Sequence, residues 1–83
     1  MKRTWTREDI AHVIESFLDG TCGPYDWDDF CTFSLTDRQL DEVRRECCDC
    51  DQQFPPDGPG QYCNDKGKAF LRDIARRLRE GAV

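Results

Sequence analysis

Three groups of side chains in this chain have types and spacings that could do chemistry: six cysteines, one histidine and a knot of aspartates. Cys47-Cys48-Asp49-Cys50 contains a Cys-x-x-Cys, and Cys63 follows thirteen residues after Cys50. Zinc prefers four thiolate or imidazole ligands in a tetrahedron. Cys47, Cys50 and Cys63 would supply three of them, and Cys22, Cys31 or His12 the fourth. A second Cys-x-x-Cys pair, which would make the pattern specific, is absent. The same spacing has a plainer explanation, since Cys47 and Cys50 continue a helical stripe begun by Leu40 and Val43, and a free cysteine packs as a small apolar residue. The expectation is therefore structural thiols with no cofactor, and the alternative is zinc held by Cys47, Cys50 and Cys63. A redox pair is disfavoured, because the motif closes a helix beside Asp49 and Asp51, and both features raise a thiol pKa.

The aspartates lie in Asp19–Leu35, the stretch around which the chain is organised. Asp26, Asp28 and Asp29 alternate there with Tyr25, Trp27 and Phe30. They lack the Asp-x-Asp-x-Asp-Gly loop with a terminal glutamate that a calcium hand requires. Acid–base catalysis would need two carboxylates in different environments inside a cleft. An acidic helical turn with Trp27 and Phe30 inward and Asp28 and Asp29 outward needs neither. His12 borders an apolar stripe without a nucleophile motif beside it, and reads as a half-buried structural histidine. No phosphate-binding loop or dinucleotide fingerprint is present. No catalytic residue is assigned, and the chain is not expected to be an enzyme.

The elements that must position these groups are well punctuated. Thr6 is an N-cap, acids Glu8 and Asp9 face the positive helix end, and Trp5 and Ile10 have the spacing of a hydrophobic staple. Ile10, Val13, Ile14, Phe17 and Leu18 then form one apolar stripe, which Gly20 ends. A helical turn is expected at Asp26–Phe30. Thr36 with Gln39 reads as a capping box opening a second helix from Asp37 to about Cys48, with Leu35 stapled to Leu40. Phe54-Pro55-Pro56-Asp57-Gly58-Pro59-Gly60 excludes helix. A third helix runs from Asn64 or Asp65 to Arg79 or Glu80, burying Phe70, Leu71, Ile74 and Leu78. With no strand pattern, the fold class is all-α: one compact three-helix domain over residues 1–83, with an additional short helical turn and a long Pro/Gly-rich loop between helices two and three.

Composition narrows the function. Of the 83 residues 35% are charged, while the hydrophobic 37% includes the cysteines, so the core is thin. The net charge of -5 opposes general nucleic-acid binding. It is polarised: residues 19–51 carry ten acids against three bases, and residues 64–83 six bases against three acids. The basic third helix suits no helix-turn-helix, since a long loop replaces the short turn. The first residues form no targeting signal, and no apolar run approaches the ~20 residues that span a bilayer. A cytoplasmic location with six reduced cysteines is expected.

The run FLDGTCGPYDWDDF, followed by FPPDGPGQYC, resembles a pattern in small uncharacterised bacterial proteins of this length, which often have glycine at the position of Cys22. The likeness extends from Phe17 to Leu78. It implies a compact bacterial domain and no activity, and it weakens Cys22 as a metal ligand.

These readings converge on a small acidic interaction protein that occupies a partner's surface. Its partner-binding residues are Tyr25, Asp26, Asp28 and Asp29, its partner a protein with a basic face, with neither nucleic acid nor membrane involved. An antitoxin or immunity role against a basic toxin fits by analogy of size and charge alone. A zinc-stabilised binding module is the alternative.

Overall fold

Thr6 starts the first helix as its spacing predicts: its hydroxyl accepts from the Asp9 N–H, and the Asp9 carboxylate accepts from the Thr6 N–H at 2.8 Å. The computed structural model describes residues 2–23, 26–59 and 62–81. Among them the order is β1 (Lys2–Arg3), α1 (Arg7–Asp19), α2 (Asp26–Thr32), β2 (Ser34–Leu35), α3 (Arg38–Cys48), α4 (Cys50–Gln53) and α5 (Asp65–Glu80). The chain is mostly helical, with five helices where three and a turn were expected. Gly20 closes α1 in the left-handed region at φ 74°, a conformation that suits a residue without Cβ.

The longest helices make the main layer. Ile10, Ala11 and Ile14 of α1 and Leu71, Ile74, Ala75 and Leu78 of α5 are all buried, and this pair packs more extensively than any other. Each large side chain buried in this way contributes roughly 1.5–3 kcal/mol relative to exposure. Arg79 clamps the outside of the pair by donating from Nε and one terminal nitrogen to the two oxygens of Glu15, both at 2.7 Å.

The aromatic residues plug the other side. Trp27 and Phe30 of α2 are buried, as their spacing predicts. Phe17 of α1 stacks on Trp27 with centroids 4.1 Å apart, and Trp5 stacks on Phe30 at 5.8 Å. Tyr62 meets both Phe17 and Trp27 edge-on. The Tyr62 hydroxyl donates to the Cys48 carbonyl at 2.8 Å, which ties the end of the long loop to the end of α3.

Four expectations are corrected. The cap of α3 is Asp37, whose carboxylate accepts from the Leu40 N–H at 3.0 Å. Thr36 is drawn elsewhere: its N–H donates to the Arg3 carbonyl at 3.0 Å, and its hydroxyl lies 3.2 Å from that of Thr4. Two short strands exist, β1 pairing parallel with β2 so that Lys2 faces Ser34 and Arg3 faces Leu35. The expected turn at Asp26–Phe30 extends to Thr32. Finally, the cysteines are not all thiols, because Cys31 and Cys48 are joined by a disulfide. Their Cα atoms stand 5.7 Å apart, within the bridging range. The argument for a reducing compartment from six thiols therefore falls.

The loop after α4 is pinned at its ends. Phe54 donates its N–H to the Cys50 carbonyl and accepts from the Asn64 N–H, and its ring meets Phe70 at 5.5 Å. Gly67 lets this loop close on α5, since a Cβ there would stand 2.8 Å from Cys63 Sγ and 2.9 Å from Phe54 Cβ.

Candidate functional site

The acids of α2 divide by role. Asp26 turns back on its own chain, where its Oδ2 accepts from the Gly23 N–H at 2.7 Å while its N–H donates to the Gly23 carbonyl. This closes the turn that opens α2. Asp28 and Asp29 are exposed in the first helical turn, where the positive helix end favours carboxylates. No described cation pairs with either of them. Tyr25, the fourth expected docking residue, lies outside the described residues.

Beside these acids is a hollow of about 150 Å³. Trp5, Phe30 and Phe33 give it aromatic walls, Asp26 and Asp29 border it, and Arg3 reaches it from β1. The Arg3 guanidinium carbon sits 4.4 Å from the centre of the Phe33 ring.

What holds α2 in place is a buried polar knot that sequence reasoning missed. Asp41 Oδ1 accepts from the Leu35 N–H and from Arg44 Nε, both at 2.9 Å. Arg44 also donates to the carbonyls of Phe30 (3.4 Å) and Cys31 (3.1 Å), at the end of α2 where helix carbonyls lack partners. The Leu35 N–H above all, then Arg44, holds the Asp41 carboxyl below its ordinary range against the opposing effect of burial. The signal was present: Leu40, Val43, Arg44 and Cys47 fall at i, i+3, i+4 and i+7. A cation on an apolar stripe, three residues after an acid, marks a buried pair.

The cysteines behave as packing groups. Cys47, Cys50 and Cys63 are buried. Burial, reinforced by Cys50, pushes the Cys47 thiol up to about 12. Cys50 moves in the same direction, first through burial and then through Cys63, and its thiol donates to the Gly67 carbonyl at 3.5 Å. Such thiols carry their protons at neutral pH and are poor nucleophiles. Among the described residues no three of His, Cys, Asp and Glu converge as a group that could hold a metal ion. His12 is exposed, not half-buried.

Three of the six basic residues of α5 are answered by nearby acids. Arg76 pairs with Asp73 and with Glu80 (3.0 Å), Arg77 with Asp73 (3.0 Å), and Arg79 with Glu15. Among the described residues no helix is long and apolar enough to cross a membrane. No family model matches the chain, and neither a curated protein nor a solved structure is similar to it.

Proposed function

We propose that this protein works by docking the α2 face against a basic surface of a protein partner, with no chemistry of its own. The observation that carries this reading is that Asp28 and Asp29 meet no cation among the described residues and are held outward on a helix whose other side is locked by Trp27, Phe30 and the Arg44 hydrogen bonds. A rigid face with fixed like charges speeds encounter with an oppositely charged surface and fixes its register. Nucleic acid is not the partner in this reading: the net charge is -5, and three arginines of α5 are already paired with acids.

The test is a double charge reversal, Asp28→Lys with Asp29→Lys. Partners cross-linked to the wild-type chain in its native cell should be lost from the variant and recovered less well as salt rises. The variant should melt with the wild type, since both side chains are exposed. A partner retained equally by both proteins would remove α2 as the docking face.

A further inference from the structure

The hollow beside Asp29 carries more than charge. Its walls are aromatic, its border holds two carboxylates, and a guanidinium of the chain itself already rests on one of its rings. Arg3 covers Phe33 but forms no ion pair with a described acid, so it occupies the ring and leaves Asp29 unanswered. Asp26 Oδ2 already accepts from the Gly23 N–H. The open space that remains is about 150 Å³. It suits a single flat group that is apolar on its face and cationic at its edge.

We propose that this hollow is a slot for one arginine side chain of the partner, and that Arg3 is its intramolecular rival. The proposal rests on the docking reading above and names what the α2 face receives. A guanidinium can lie flat against an aromatic ring while its edge donates to a carboxylate, which a lysine ammonium cannot do in one plane. Asp29 is the acceptor, Trp5 supplies the apolar wall with fully buried Phe30 behind it, and Phe33 is shared with Arg3. Arg3 places a like charge at the rim, so it weakens the incoming arginine and keeps the aromatic wall covered in its absence. The Arg3 backbone is engaged separately, through β1 and the Thr36 N–H, so its side chain can leave the ring without opening the strand.

The experiment titrates the full chain with three blocked tripeptides that differ only in the central residue: arginine, lysine or citrulline, the neutral isostere. The indole N–H resonance of Trp5 reports the slot, and that of buried Trp27 is the internal control. The arginine peptide should shift Trp5 saturably, the lysine peptide should bind about 3-fold or more weakly, and citrulline should not bind. Asp29→Asn should weaken the arginine peptide by roughly 5-fold or more, as expected for loss of a charge-assisted hydrogen bond. Asp28→Asn, outside the hollow, should change little. Arg3→Ala, with its amide spectrum as the fold control, should tighten binding by about 2–5-fold. Equal binding of lysine and arginine, or no tightening in Arg3→Ala, overturns the slot while leaving an acidic docking face intact. Absence of any α2 shift with a longer arginine-and-lysine peptide overturns both readings.

Discussion

The α5 face and the α2 face handle charge in opposite ways. On α5, Arg76, Arg77 and Arg79 are answered by Asp73, Glu80 and Glu15, most of them within three or four residues on the same helix. On α2, Asp28 and Asp29 meet no described cation. The balance of charges along the chain does not reveal this contrast. A helix with a net positive count can have half of its cations already answered, while a short acidic one keeps two of its three carboxylates clear of any described cation. Charge that is free in the folded chain is therefore a better guide to a partner than charge counted from composition.

The contrast depends on α2 being rigid, and the largest effects should come from loosening it. Trp27→Ala should lower stability by about 3–5 kcal/mol, the range for large aromatic truncations in cores, as read by denaturant melts. An unchanged midpoint would mean that Trp27 is not what seats α2. Arg44→Ala should cost a comparable amount, roughly 3–5 kcal/mol, because it leaves two helix carbonyls uncapped and Asp41 with only the exposed Arg45 as a cation. Asp41 also sets an acid limit. Its folded pKa is lowered, so its contribution is complete above the ordinary aspartate value of about 4 and is lost as pH falls through the lower folded value. In Asp41→Asn the stability curve below about pH 4 should fall less steeply than in the wild type.

Reduction of Cys31–Cys48 should come next. The bond closes a sequence separation of 17, for which chain entropy gives about 3 kcal/mol, or roughly 10 °C or more in the melting temperature of so small a domain. The melt should drop with a dithiol reductant, and Cys31→Ser with Cys48→Ser should show no further drop. A wild-type melt that ignores the reductant would assign the anchoring of α2 to Trp27 and Arg44 alone. The smallest effect belongs to the exposed pair on the opposite face. Glu15→Gln should cost less than about 1 kcal/mol, since solvent screens the clamp with Arg79, and its effect should shrink further at high salt.

How much of this was readable from the sequence depended on the range of the interaction. The start and end of α1 were readable because cap, box and stop are set by neighbours within four residues: Thr6 with Asp9, and Gly20. The inner face of α3, through Leu40, Val43 and Cys47, followed from period alone. Thr36 was misread because a strand more than thirty residues away competes for its N–H. Two-residue strands carry no alternation to detect. The Cys31–Cys48 bond depends on which sulfurs the tertiary fold brings together, and spacing among six cysteines does not decide that. Of the expected docking residues, Asp28 and Asp29 are exposed, as their place in the acidic turn predicts. The hollow beside Asp29 could not be foreseen, because Arg3, Trp5 and Phe33 reach it from separate segments.

Gly67 gives the usual rule of helix substitution the opposite sign in this chain. Alanine is normally the better helix former by about 1 kcal/mol, and a glycine inside a sixteen-residue helix looks like an invitation to improve it. Here the bare Cα is the seat on which the proline-rich loop rests, with Cys63 and Phe54 already at the distance a methyl group would need. Adding that methyl would set the propensity of α5 against the closure of the loop. Alanine scanning would then report a connection between elements at the one helical position where it is usually taken to report nothing.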